Sequence, residues 1–136
     1  KALRPHLNIV INGGITSLEH AQQHLQHVDG VMIGRETWHN TFFLADVDAV
    51  LFNDDHVKAD RISVTRAYAE YCAAQHAQGV SLSVLTRHLL GLWHNIPGAK
   101  QFRRHISEQS HKPGATVAII EEALALVRTS ELFSTK

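Results

Sequence analysis

The sequence predicts a mixed α/β plus all-α architecture, the last βαβα part of a (β/α)8 TIM barrel followed by a C-terminal helical bundle, and three observations predict it. Two apolar runs, Leu7-Asn8-Ile9-Val10-Ile11 and Gly30-Val31-Met32-Ile33, each end on a glycine-bearing tip, Asn12-Gly13-Gly14 and Gly34-Arg35. An amphipathic stretch joins them, and the tips lie about 20 residues apart, near the minimum for a right-handed crossover between parallel strands. Beyond about residue 60 the apolar residues recur only at helical spacing, with short connections.

Each element follows in order. The first run is expected as a buried parallel strand. Glycines at its tip let backbone N–H groups approach an anion, and Arg35 at the second tip adds a fork of donors. Barrels of this class commonly bind phosphate after strands seven and eight, where two consecutive tips of this kind belong. Between the strands, Thr16 and Glu19 have the spacing of a capping box, and Leu18, Ala21, Leu25 and Val28 form the apolar stripe of a helix. The apolar stretch from Trp38 to Phe52 is expected as the last barrel helix and its approach, broken by Asn53-Asp54-Asp55-His56. The domain boundary is placed there, giving a truncated barrel part over residues 1–55 and a helical domain over 56–136.

In the second region a helix over residues 62–78 is expected to turn Val64, Ala67, Tyr68, Tyr71 and Cys72 inward and to stop at Gly79. A second, with Ser81 as its N-cap, places Leu82, Leu85, Leu89 and Leu92 on one face and ends at Ile96-Pro97-Gly98. Trp93 is read as core. The third, about Ala99 to Ser110, buries Phe102 and Ile106, and the fourth, from near Thr116, presents Val117, Ile120, Leu124 and Val127.

Length points to a piece of a longer protein, because a complete barrel takes about 250 residues and this chain has 136, beginning at Lys1 with Met32 its only methionine. The missing barrel strands are expected upstream. Composition is that of a globular chain, with 44% hydrophobic and 19% charged residues, so disorder is not expected. No apolar run approaches the roughly 20 residues of a membrane span, and a cytoplasmic location is expected. The single cysteine, Cys72, has no internal disulfide partner and reads as a buried structural thiol.

Net charge is zero, but it is unevenly spread. Residues 1–79 hold six basic and nine acidic side chains, residues 80–112 five and one, and residues 113–136 two and three. The middle segment is a basic island, and His88, His94, His105 and His111 add to it. Such an island suits a polyanion or is a solvated helical face. Lys100, Arg103 and Arg104 at i, i+3 and i+4 form a ridge opposite Phe102 and Ile106, read as lacking acidic partners one turn on, and Arg87 extends it. A nucleic-acid backbone is its natural partner. Among the 11 histidines, His20, His24 and His27 recur at helical spacing, yet no Cys or carboxylate is placed to complete a metal site, and no metal is expected.

Four stretches carry a resemblance to a family. Ile11-Asn12-Gly13-Gly14-Ile15, Asp29-Gly30-Val31-Met32-Ile33-Gly34-Arg35-Glu36, Thr86-Arg87-His88-Leu89-Leu90-Gly91-Leu92-Trp93 and Ile96-Pro97-Gly98-Ala99-Lys100-Gln101-Phe102-Arg103-Arg104 resemble the C-terminal portion of bacterial tRNA-dihydrouridine synthases, A subgroup. The first two are shared with many flavin barrels; joined to the last two, they become specific.

The resemblance implies an FMN enzyme that reduces uridine to dihydrouridine in the D-loop of tRNA with NADPH as reductant. It assigns the FMN phosphate to Asn12, Gly13, Gly14, Gly34 and Arg35, and tRNA binding to Lys100, Arg103, Arg104 and Arg87. The family's catalytic cysteine belongs upstream, and Cys72 is not its counterpart. The isolated piece is expected to be inactive and either to self-associate through its exposed barrel strands or to leave them poorly ordered. The alternatives are another FMN or phosphate-binding barrel enzyme whose helical tail is structural, and a stand-alone RNA-binding module.

Overall fold

Two three-residue strands, β1 (Val10–Asn12) and β2 (Gly30–Met32), run parallel in the computed structural model, which describes residues 2–133, with side chains as far as Val127. The chain divides into two units, Lys1–Lys58 and Ala59–Lys136; residues 134–136 of the expected helical domain lie outside the described residues.

In the first unit Val10 pairs with Gly30, Ile11 with Val31 and Asn12 with Met32. A reciprocal link sets this register: the Ile9 N–H donates to the Asp29 carboxylate at 2.9 Å, and the Asp29 N–H returns a bond to the Ile9 carbonyl at 2.9 Å. A methyl group on Gly30 would meet a Val10 methyl at 3.2 Å, so the glycine permits close approach. Helix α1 (Leu18–Leu25) connects the strands and buries Leu18 and Ala21, with Ile15 beneath its start. Its N-cap is Ser17, which accepts from the His20 N–H at 3.1 Å. The expected box from Thr16 to Glu19 is thus displaced by one residue, because Ser17 is the last residue with extended backbone before the helix.

The strands are short and their outer face is open, with Val10 60% and Met32 48% exposed, the exposed apolar face expected of barrel strands in an isolated piece. The stretch after β2, expected as the last barrel helix and its approach, is helical with two breaks. It forms α2 (Arg35–His39), a 3-10 turn (Thr41–Asp46) and α3 (Val47–Phe52), and none of the three contains a buried residue. Asn40 leaves helical geometry at the first break, its side-chain amide donating to the Glu36 carboxylate at 3.1 Å. Asn53, in the left-handed conformation, ends the second. Lys58 closes the segment onto Asp46 at 2.7 and 2.8 Å and lies over the Phe42 ring.

The second unit is helical, with α4 (Arg61–Ala77), α5 (Leu82–Thr86) running into a 3-10 turn (Arg87–Leu89), α6 (Ala99–Gln109) and α7 (Ala118–Phe133). Its core contains Leu82, Leu85, Leu89, Leu92, Trp93 and Phe102 from the expected positions. Ile106, Ile120, Leu124 and Val127 join them as expected, and the Trp93 and Phe102 rings lie 5.9 Å apart. Ser81 holds the N-cap position of α5, but its hydroxyl pairs with Ser83 and caps nothing.

Helix α4 is rotated from the expected face. Cys72 is buried, but Tyr71 is 50% exposed and Ala67 is exposed, while Thr65 is wholly buried. The cause is a polar seam. Arg61 donates to the Leu92 carbonyl at 3.0 Å, and the Tyr68 hydroxyl donates to the Leu85 carbonyl at 3.1 Å. Thr65 accepts from the Trp93 indole N–H at 3.2 Å and gives its own proton to the Arg61 carbonyl at 2.7 Å. Residues 61, 65 and 68 share one face, so these bonds decide which side of α4 turns inward. Outside the seam, Arg66 pairs with Glu121 and His105 with Glu122, tying α7 to α4 and α6. Among the described residues no helix is long and apolar enough to cross a membrane.

Thr65→Val leaves the buried indole N–H without an acceptor and is expected to cost about 1–3 kcal/mol, whereas Thr65→Ser should retain most of the stability; urea unfolding of the three proteins checks this. Asp60 caps α4 by accepting from Ile62 and Ser63. The Ser63 N–H foremost, with its hydroxyl and the Ile62 N–H, lowers the Asp60 pKa below that of an ordinary aspartate. A carboxylate depressed in the folded state stabilises above its unfolded pKa of about 3.9 and loses that contribution as pH falls through the lower folded value. Thermal melts from pH 6 down to about pH 2 should therefore show a smaller acid-induced fall for Asp60→Ala than for the parent chain.

Candidate functional site

The strand tips and the start of α2 enclose a recess of about 550 Å³ in the first unit. All five residues assigned to phosphate, Asn12, Gly13, Gly14, Gly34 and Arg35, line it. Parallel pairing brings them together, since chain leaving both strands in the same direction emerges at one edge. Gly13 at φ +117° and Gly14 at φ +68° adopt backbone that other residues rarely reach, and a methyl group on either would meet nothing within 4 Å. The space before these two residues is open to a ligand.

Arg35 is exposed, and among the described residues no carboxylate lies within ion-pair distance of it. His39, one turn on, lines the recess as well, as does Glu36. Glu36 places a carboxylate on the recess wall, and its Oε1 already accepts from Asn40. Thr37 fixes the turn from the second tip into α2 by donating to the Gly34 carbonyl at 2.7 Å and to that of Ile33 at 3.2 Å. The donor set, open glycine tips beside an uncommitted guanidinium, fits the phosphate end of a cofactor such as FMN. Sequence reasoning missed Glu36 and His39, although their spacing from Arg35 at i+1 and i+4 on a short helix could have suggested the second.

In the second unit the basic ridge lies on α6. Lys100 and Arg104 are exposed, and Arg103 is half-buried at the flank of the Phe102 and Ile106 stripe. The expectation that these cations have no acidic partner one turn on is wrong for Arg104. Its Nε donates to Glu108 at 2.7 Å, the i, i+4 geometry that helix pitch provides, and this bond raises the guanidinium pKa further. Lys100, Arg103 and Arg87 have no carboxylate within ion-pair distance among the described residues. Three of the four proposed RNA-binding cations are thus uncommitted and one is internally neutralised.

Cys72 is fully buried in α4 and desolvation pushes its thiol pKa up, the opposite of what a reactive thiolate needs. On α1 the His20 and His24 rings converge, Nε2 to Nε2 at 2.9 Å, while His27 is exposed past the helix end. Among the described residues no three His, Cys, Asp or Glu side chains converge as a metal site.

The chain matches the family described as Dihydrouridine synthase (Dus) over residues 1–128. It is 52% identical over 123 residues to a tRNA-dihydrouridine(20/20a) synthase of Salmonella typhimurium, covering 90% of this chain and 37% of the relative. The enzyme of the same name from Vibrio cholerae is 49% identical over 128 residues, 94% of this chain and 39% of the relative. That of Escherichia coli K12 is 50% identical over 123 residues, 90% and 36%. The chain thus spans less than two-fifths of the length of these relatives.

Proposed function

Because the chain belongs to the dihydrouridine synthase family, we propose that it is the C-terminal portion of an FMN-dependent tRNA-dihydrouridine synthase that reduces uridine in the tRNA D-loop with NADPH. The observation that carries this reading is the pair of tips on parallel strands opening on one recess, with Gly13, Gly14, Gly34, Asn12 and Arg35 on its wall. In this reading β1, α1, β2 and the broken segment after them are the closing βαβα part of a (β/α)8 barrel, and residues 56–136 form a tRNA-binding domain. The exposed outer faces of Val10 and Met32 are where the remaining barrel would pack, or where the isolated piece self-associates.

FMN, when bound, supplies hydride transfer. This chain's part is to anchor and to dock. The Arg35 guanidinium, the backbone at the Gly13, Gly14 and Gly34 tips and the Asn12 amide would hold the FMN phosphate. Lys100, Arg103 and Arg87 engage RNA phosphates, with Arg104 the weaker contributor because Glu108 holds it. The catalytic cysteine belongs to the portion outside this chain. The relatives' names specify positions 20 and 20a, and the same D-loop positions are the proposed targets, in the cytoplasm.

Two substitutions separate anchoring from docking. In the full-length enzyme Arg35→Ala is expected to lower the flavin content of purified protein while leaving tRNA affinity near that of the parent; absorbance of released FMN and a tRNA titration check it. Conversely, Lys100→Ala with Arg103→Ala should weaken tRNA binding and reduce the salt slope by roughly 0.7–0.9 for each phosphate that is no longer neutralised. Full activity of that double variant would instead favour a barrel enzyme with a structural tail.

A further inference from the structure

A second recess, of about 210 Å³, lies within the helical unit. One wall comes from α5, the 3-10 turn after it and the residue that follows, Ser83, Thr86, Arg87 and Leu90, which recur at i, i+3, i+4 and i+7 and so share a face. The other comes from the end of α6, Ile106, Ser107 and Ser110, with His111 just beyond. Thr86 and Ile106 are each 1% exposed, whereas Arg87, Ser107 and His111 are exposed, so the floor is closed and the rim is polar and accessible. None of the lining residues is a carboxylate.

The chemistry of this lining is selective. A guanidinium, an imidazole and serine hydroxyls around a partly apolar floor suit an oxyanion. The volume is below the roughly 300–1,000 Å³ of pockets that enclose a whole small ligand, which suits one group of a larger partner. Placement on α6 names that partner. Ser107 lies four residues after Arg103 and seven after Lys100, so the three follow one flank of the helix over about 10 Å of rise. Both cations lack a carboxylate within ion-pair distance among the described residues, and Thr86 has already given its proton to the Leu82 carbonyl at 2.9 Å.

We propose that this recess seats one backbone phosphodiester of the bound RNA, with Arg87 and the Ser107 hydroxyl as its donors and Lys100 and Arg103 engaging phosphates further along the same strand. The proposal rests on the tRNA-binding reading and extends it from a charged surface to a defined seat. Arg87 supplies two parallel N–H donors, Ser107 a neutral one, and His111 a further donor from the rim. A seat of this kind fixes the register of the RNA on the helical unit, which a solvated row of cations does not.

The test uses the 136-residue chain, an unmodified tRNA transcript and a salt series. Arg87→Gln is expected to weaken binding about tenfold and to lower the salt slope by roughly 0.7–0.9, with Arg87→Lys intermediate because charge is kept and the fork is removed. Ser107→Asp, an exposed position, should weaken the parent chain strongly and the Arg87→Gln background much less, since both act at one seat. Melting temperatures near that of the parent exclude a folding effect. Unchanged tRNA affinity in Arg87→Gln and Ser107→Asp, with weakened binding in the Lys100→Ala, Arg103→Ala variant, overturns the seat and leaves the RNA reading standing. Absence of tRNA binding by the parent chain overturns both. Inorganic phosphate, titrated while the Ser107 and His111 resonances are followed, identifies a free-phosphate site if it saturates them and tRNA affinity ignores both substitutions; that result also overturns the proposal.

Discussion

Parallel pairing of two very short strands is the constraint on which the recess at their tips depends. Three residue pairs hold β1 to β2, too few to set a register unaided, and the added pair of bonds between Ile9 and Asp29 locks it from the entry side. Sliding either strand by one residue would exchange which side chains face α1. Because the register is held, Asn12-Gly13-Gly14 and Gly34-Arg35 leave the sheet at the same edge and face one volume. The close approach of Gly30 to Val10 belongs to the same constraint, since an added methyl group there would meet a Val10 methyl at 3.2 Å and require it to shift.

The helical unit solves a different problem, how to bury a helix whose apolar face is weak. Helix α4 carries alanines, tyrosines and a cysteine, with no leucine stripe to direct it. Hydrogen bonds supply the direction instead. Arg61, Thr65 and Tyr68 meet the Leu92 carbonyl, the Trp93 indole and the Leu85 carbonyl, so each buried polar group finds a partner and the helix is turned to suit them. The apolar surface then comes from Leu82 to Leu92 and from α6 and α7, where leucine, isoleucine and phenylalanine recur at helical spacing. Charge is distributed in a comparable way. Acidic residues of α7 and Glu108 engage Arg66, His105 and Arg104, while Lys100, Arg103 and Arg87 stay available to an external anion.

Legibility differed between these two parts for physical reasons. Glycine tips and the Leu82, Leu85, Leu89 and Leu92 stripe depend on local spacing, and both appear where spacing puts them. The inward face of α4 depends on partners 17 to 31 residues away, and the apolar reading of Ala67 and Tyr71 has no access to them. The stretch from Trp38 to Phe52, expected as the last barrel helix and its approach, breaks at Asn40, whose backbone leaves helical geometry although its N–H still reaches the Glu36 carbonyl. An apolar count carries no signal for such a break.

By itself, then, the sequence determined the order of elements, the two glycine-bearing tips and the charge on the ridge, all of which follow from neighbours a few residues apart. Only the tertiary structure decided that Arg87 faces Ser107 across a recess and that Asp29 locks the strand entry. Both facts depend on groups distant in sequence arriving at one place, Arg87 and Ser107 on the walls of one recess and Asp29 within hydrogen-bond reach of Ile9, and neither arrangement leaves a signature in residue spacing.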